Sequence, residues 1–514
     1  MFARGGRLLL AGAALAAIAL AGCGGGDDVD VGPAAAVPAD TPIYLEATVR
    51  PEGEVKSGAE AALGKILDTD DPGAKLQSLI ERETTQHLKP GEQFTFAEDI
   101  DLWLGERAAV FFSSFEEDSD GTLVIESRDN EAALNAFRED TRVTGQTGEY
   151  EGHTYEFQTE DDGGATVFGP VGDFMVVGSE EGFKQAVDAS DGDNLGGSDD
   201  FKDSVGDLPD DSLGILYSIP RQFLEAIPEE EVDPFARNII ETAAEDSLDE
   251  PVVGDLTASA EDLELDVTAG GEGVETAESS LIGELPAQAW LAIGFGDVGE
   301  TVRRTIEQLR EAGVPGLDQG LEQVESTAGV SLDELTGALG DAALYVQGTS
   351  EAALTGALVV QTNDSELTGR LVEQLRGLIQ LGSPRGVQSL STPGGGSGLR
   401  INDPSTAPQP VELLQEGDRL VIGYGAGSAQ AALQPAQNLV GSPGFTAAQE
   451  KLSGLGTDFF LDFAPVFELA ENEGARGDPE FREAKPYIDG LDYLAVGSGD
   501  EDDRAQIRLL VGLK

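Results

Sequence analysis

The sequence predicts an α+β protein of two duplicated domains, each a mostly antiparallel sheet with helices packed on it. Three observations lead there. Strand-like runs follow one another at hairpin spacing, as in Ala108 to Ser114 and Thr122 to Ser127 with Ser119-Asp120-Gly121 between them. Helix-periodic segments punctuate these runs without alternating one for one, which argues against a parallel βαβ sheet. The order of landmarks in residues 38–268 then recurs in residues 285–514, a repeat of about 230 residues.

Taken in order, the chain opens with Arg4 and Arg7 ahead of the apolar run Leu8 to Leu20. A permanent membrane helix needs about 20 apolar residues, so this shorter run has the form of a cleavable signal. Leu20, Ala21 and Gly22 lead directly into Cys23, the single cysteine of the chain. Small residues before a cysteine at that place form a lipoprotein box. It predicts cleavage after Gly22 and acyl chains, palmitate among them, carried on Cys23 through a diacylglycerol. Two acyl chains are what stable anchoring requires. The expected organisation is a signal peptide over 1–22, a flexible acidic tether over 23–37, a first α+β repeat over 38–268, a linker over 269–284 and a second repeat over 285–514. The expected location is extracytoplasmic, on the cell membrane. The tether reads GGGDDVDVGPAAAV after Cys23, a composition without periodicity, and regular structure is expected near Pro38.

The first repeat begins with a strand over Ile43 to Val49, answered by Trp290 to Phe295 in the second. The segment Trp103 to Val110 answers to Ala338 to Tyr345, an offset of 235, and Leu123-Val124-Ile125 answers to Leu358-Val359-Val360 at the same offset. Gly172 to Gly178 answers to Gly417 to Gly423, now at 245. Gly197-Ser198 and Phe201 answer to Gly441-Ser442 and Phe445, and Leu216 to Pro220 to Leu461 to Pro465. The extra ten residues are expected in Leu381 to Pro410, rich in Gly, Ser and Pro and read as an enlarged loop. Asp129 to Phe137 and Glu180 to Ala189 read as helices. Tyr150 to Thr159, Ala165 to Phe168 and Phe174 to Gly178 read as strands. Ser331 with Glu334 makes a capping box. Leu367, Leu371, Leu375 and Leu378 recur at helical spacing and predict one buried face. Each repeat closes on two strands, Asp255 to Ala260 with Leu263 to Thr268, and Tyr493 to Gly497 with Gln506 to Val511.

Composition narrows the function. The formal net charge is −66 over 514 residues, and residues 1–284 hold 64 acids against 16 bases. Such a surface repels nucleic acid, so no nucleic-acid partner is expected. One cysteine excludes a disulfide framework.

Several motifs imitate chemistry. Gly294-Phe295-Gly296-Asp297-Val298-Gly299 has the spacing of a dinucleotide loop, but the matching Glu46 to Pro51 has no glycine and no βαβ series follows. Gly58 to Lys65 is one residue too long for a P-loop, and Ile66 stands where a magnesium-binding Ser or Thr belongs. Glu116, Asp118, Asp120 and Glu126 alternate like calcium ligands, but Ser127 occupies the place of the closing glutamate; in Asp188 to Asp203, Leu195 sits at a ligand position. His87 and His153 are far apart. Trp103 and Trp290 lie beside apolar runs, as core or interface residues do. No catalytic residues, metal ligands or cofactor are assigned.

The opening PADTPIYLEATVRPEG (Pro38 to Gly53), the DPGAKL of Asp71 to Leu76 and the EDIDLWLGERAAVF of Glu98 to Phe111 resemble an uncharacterised family, a domain of unknown function in exported lipoproteins of high-GC bacteria. The resemblance covers nearly the whole mature chain and carries no site residue beyond Cys23 and its box. The expected function is a non-catalytic binding or scaffold module of the cell envelope, with an envelope protein as partner. One alternative is a carrier of a lipid or other apolar small molecule in a cavity between sheet and helices. Another is an enzyme with an unrecognised site, which predicts converging polar residues in one repeat that the other lacks.

Overall fold

The computed structural model describes residues 31–85, 94–115, 121–139, 142–159, 164–209, 212–228, 237, 247–270, 278–314, 316–382, 386–402, 407–501 and 504–514. They fall into two compact units, residues 31–237 with 247–270, and residues 278–514. Both are mixed α+β. No helix among the described residues is long and apolar enough to cross a membrane.

The first unit holds strands β1 (Ile43–Thr48), β2 (Leu104–Phe112), β3 (Thr122–Ser127), β4 (Val143–Tyr150), β5 (His153–Thr159), β6 (Ala165–Val171), β7 (Phe174–Gly178), β8 (Gly214–Ser218), β9 (Val252–Ala258) and β10 (Asp262–Ala269). Every pairing among them is antiparallel, and they lie side by side as β4-β5-β6-β7-β3-β2-β1-β8-β9-β10. β1 explains the layering. Alternation sends Tyr44 to one face and Ile43 and Leu45 to the other, so a strand apolar on both faces is covered on both. On the Tyr44 face, Tyr44 lies beside Phe111 of β2 and Tyr217 of β8. Helices Glu180–Asp191 and Asp199–Gly206, capped by Ser179 and Ser198, close this face. Phe201 meets Tyr44 and Tyr217 edge-on at 5.7 and 5.1 Å. On the opposite face Ala108, Ile125 and Met175 pack with Trp103 and with Ala133 of helix Asn130–Arg138.

The second unit holds β11 (Leu291–Phe295), β12 (Leu339–Gln347), β13 (Thr355–Thr362), β14 (Val387–Ser391), β15 (Ser397–Ile401), β16 (Val411–Glu416), β17 (Arg419–Tyr424), β18 (Gly456–Asp462), β19 (Leu491–Glu501) and β20 (Arg504–Leu513). Its antiparallel order is β14-β15-β16-β17-β13-β12-β11-β18-β19-β20. Phe445, Phe460 and Tyr345, all at most 1% exposed, anchor its closed face. Burying one such ring stabilises by roughly 2–3 kcal/mol.

Several expectations are corrected. Structure begins before Pro38: Gly32–Ala36 is a 3-10 turn, with Ala34, Ala36 and Val37 fully buried, so the last part of the 23–37 tether is core. The close of the 269–284 linker likewise belongs to the second core, through Leu281 and Ile282. Small side chains hide the first segment from a hydropathy reading, because alanine and glycine bury little area each; in the second, Leu281 and Ile282 are an isolated apolar pair among Ser, Gly and Glu. Leu381 to Pro410 is not a loop, since it carries β14 and β15; the added length sits in helix Ser365–Gly382, 18 residues against 9 for Asn130–Arg138. That helix turns Leu367 inward as expected, but it also turns Val372 inward and leaves Leu375 44% exposed, so the leucine repeat is only partly the buried face. Tyr150 to Thr159 is broken by a turn at Glu151-Gly152, where Glu151 has φ 44°. The 235 offset slips by one inside β12. Three residues bulge between Leu104 and Ala108, two between Leu339 and Ala342, and Ala108 therefore takes the place of Ala342. The turn residues 116–120 lie outside the described residues, as does the lipoprotein box with Leu20, Ala21, Gly22 and Cys23.

Candidate functional site

Two features stand out from the packed cores: buried polar networks and an open apolar strip. The first network lies in the first unit. Glu46 points with Tyr44 to the closed face of β1, where a carboxylate among aromatics must find partners. The Tyr44 hydroxyl donates to Glu46 Oε2. Arg107 Nη1 stands 3.8 Å from Glu46 Oε1, and Arg107 Nη2 3.1 Å from Glu126 Oε1. Glu126 fills the β2 bulge, accepting from the Glu106 and Arg107 amides, each at 3.0 Å. Gly32 lies flat on the guanidinium; a Cβ there would come 2.3 Å from Arg107 Cζ. Burial, then the Glu46 charge, pushes the Tyr44 hydroxyl well above its ordinary value. In the second unit Ala292 and Gly294 pair with β12 where Tyr44 and Glu46 pair with β2. The Tyr44–Glu46 part of this group therefore has no polar counterpart at the matching places of β11, and its members bond one another beneath a 3-10 turn.

The second network closes the other unit. Arg400 Nη2 meets Glu412 Oε1 at 2.6 Å, with Glu412 1% exposed. Glu412 also accepts from the Gly427 and Ala429 amides at 2.9 and 3.2 Å, which begins helix Ser428–Leu433. Both networks escaped the sequence reading. The available signal was a lone Glu at an inward strand position, Glu46 beside Tyr44 and Glu412 beside Leu414.

The motif-like stretches resolve into packing. The strand pairing around Gly294 is antiparallel throughout, and Gly299 opens helix Val298–Glu311 where a Cβ would lie 2.0 Å from the Thr336 carbonyl. Gly58 sits inside helix Gly53–Ile66, against the Ala258 carbonyl. Glu116, Asp118, Asp120 and His87 lie outside the described residues; Glu126 is committed to Arg107 and the bulge. Asp188 accepts from the Tyr150 hydroxyl at 3.1 Å. Among the described residues no group of three or more His, Cys, Asp or Glu is placed to hold a metal. His153 Nδ1 lies 3.4 Å from the Pro170 carbonyl. Trp103 is 2% exposed, and its indole donates to the Asp99 carbonyl at 2.7 Å; Trp290 donates to the Gly348 carbonyl at 2.9 Å.

A cavity of about 350 Å³ in the second unit is lined by Glu278, Ser279, Asn438, Gln449 and Thr457, and a groove of about 450 Å³ between helices 298–311 and 317–328 by Arg303, Arg310, Glu322 and Glu325. Both linings are polar. Beside the first, Asp458 bulges between Thr457 and Phe459 and accepts from the Ser498 hydroxyl at 2.6 Å. Burial pushes its carboxyl above the usual range, the Ser498 hydroxyl opposes that, and Glu278 adds repulsion. A raised folded-state value means that ionised Asp458 costs stability above it, and that the cost is relieved as pH falls through it. Asp458→Asn is expected to raise Tm at neutral pH, with the gain over the parent shrinking on acidification. Calorimetry across pH checks this, and a constant or growing gain contradicts it.

The apolar strip lies on the outer face of the second sheet. Helix 365–382 packs over β16 and helix 298–311 over β12, leaving β13 and β17 between them. Ile422 and Tyr424 of β17 are 43% and 38% exposed there, next to half-buried Leu358.

Comparison with known proteins adds a family and little else. A family model described as a protein of unknown function (DUF3352) matches residues 8–512. No curated protein sequence matches the chain. A solved structure described as "Structure of crystal form IV of TP0453" aligns over 78% of this chain and 95% of its own at 12% identity, with a TM-score of 0.18, too low to carry an argument.

Proposed function

We propose, from the premise that the chain belongs to the DUF3352 family of proteins of unknown function, that it is a lipid-anchored extracytoplasmic protein acting as a non-catalytic binding module of the cell envelope. We further propose that its two units are copies of one ancestral fold. The matching strand orders support the duplication, as do the paired bridges Pro38 to Asn194 and Pro286 to Asn438. The binding reading rests on the Ile422–Tyr424 strip, because apolar side chains left open beside closed cores mark a surface for a partner. The polar networks support a non-catalytic reading, since their groups are spent on one another.

A photoreactive residue at position 422 in intact cells tests the binding surface. A discrete protein adduct, lost in a variant that also carries Tyr424→Arg, is the expected result; no adduct sinks the protein-partner reading. Native mass spectrometry of the chain from its own host covers the carrier alternative, where an extractable added mass would name an apolar ligand. The anchor is tested apart from both. Cys23→Ser is expected to move the protein from the detergent to the aqueous phase of Triton X-114, and retention with detergent overturns it.

A further inference from the structure

The 3-10 turn Gly32–Ala36 fixes where a lipid tether would leave the first unit. The turn is locked in place: Ala34 and Ala36 are fully buried, the Leu195 amide donates to the Val37 carbonyl at 2.8 Å, and Pro38 bridges to Asn194. Ahead of it, Val31 lies against Gly196, so close that a Cβ on Gly196 would be 2.7 Å from Val31 Cβ. The chain therefore exits at the 3-10 turn Leu195–Gly197, just before helix Asp199–Gly206. Only residues 24–30 separate Val31, at that exit, from Cys23. A fully extended peptide covers at most ~3.5 Å per residue, so the eight steps from Cys23 to Val31 span at most about 28 Å. That is less than the width of a domain of this size.

The rim around the exit is acidic. Asp191, Asp193, Asp199, Asp200 and Asp203 are exposed within ten residues of Gly196, and Lys202 is engaged with the Gly197 carbonyl at 3.0 Å. Negative charge within a Debye length, about 8 Å in physiological salt, is repelled by anionic headgroups. We infer that the rim formed by Val31, Leu195–Gly197 and helix Asp199–Gly206 is the surface this protein turns to the lipid, drawn in by the short tether and held off an anionic bilayer by its aspartates. The inference rests on the lipid-anchor reading. It predicts an orientation that depends on headgroup charge: close on a neutral bilayer, further out on an anionic one, and close again when divalent cations screen the charge.

The experiment uses the full lipidated chain in phosphatidylcholine vesicles doped with a lipid bearing a diazirine on its headgroup. After illumination, cross-linked peptides are mapped by mass spectrometry. Peptides covering 31–37 and 191–206 are expected to carry most of the cross-links of the first unit. Phosphatidylglycerol should lower their yield several-fold at low salt, and magnesium should restore it. A Gly-Ser spacer inserted between Gly26 and Asp27 should spread the cross-links over other exposed peptides. Protein that stays on the vesicles but is labelled evenly with the native tether overturns the orientation alone. Labelling of the rim that ignores phosphatidylglycerol overturns the electrostatic stand-off. Protein that fails to stay on vesicles at all overturns the anchor reading.

Discussion

Arg107→Ala is expected to lower the Tm of the first unit by roughly 10 °C. Glu46 is 8% exposed and faces the aromatic side of β1, and Glu126 sits in the β2 bulge, so removing the guanidinium leaves two carboxylates short of their shared cation. Breaking a buried pair by removing one partner costs about 3–5 kcal/mol, and for a domain of this size each kcal/mol moves Tm by about 2–4 °C. The sign matters as much as the size. Polar clusters kept for catalysis are held at some cost to stability, so truncating them is often neutral or stabilising. A clear loss assigns the Tyr44–Glu46–Arg107–Glu126 group to holding the 3-10 turn and bulge together. An unchanged or raised Tm would reopen it as a site. Differential scanning calorimetry decides, with Glu46→Gln/Arg107→Met as control: that double variant removes both charges and should recover part of the loss.

The recoverable parts of the fold were those carried by residues of large apolar area at a fixed period. β1, β3, β7 and the helices read at Asp129 to Phe137 and Glu180 to Ala189 lie within two residues of those bounds, and the capping box of Ser331 with Glu334 is present in both directions. What was missed has physical reasons. The Gly32–Ala36 turn is built from Gly, Pro and Ala, whose burial depends on close backbone approach, and composition reads such a run as a spacer. β14 and β15 contain Gln, Ser, Gly and Arg, and β14 ends the sheet with Gln388, Ser389 and Ser391 exposed, which weakens the strand signal. In helix 365–382 the leucine repeat does not set the buried face by itself: Val372, outside that repeat, packs with Leu399 and Leu413, while Leu375, inside it, stays exposed. The polar networks join residues such as Glu46 and Arg107 that are distant in sequence, and only the register of β1 on β2 brings them together.

Glu412→Ala is expected to cost the second unit about 3–5 kcal/mol, comparable to the Arg107 variant, since it strands the Arg400 guanidinium and leaves the Gly427 and Ala429 amides without their acceptor. Glu412→Gln keeps an oxygen for the amides and loses the charge, so its cost should be the smaller. A second readout separates charge from packing. Tyr345 is fully buried, its hydroxyl donates to the Ser428 carbonyl at 3.2 Å, and its pKa is pushed up to about 12 by burial first and the Glu412 charge second. In Glu412→Gln the burial remains and the charge does not, so this tyrosine should ionise at lower pH than in the parent while staying above its ordinary 10.0. A tyrosine whose folded value is raised lends stability that is complete below pH 10.0 and is lost as pH climbs through about 12. Alkaline unfolding of the second unit should therefore set in over that window, with a smaller Tyr345 contribution to its steepness in the Gln variant. Near-ultraviolet titration read together with unfolding curves tests both. A Gln variant as unstable as the Ala variant, with Tyr345 unmoved, would mean that the carboxylate is needed for the geometry of helix Ser428–Leu433 and not for its charge. That outcome would leave Arg400 as the residue whose burial needs another explanation.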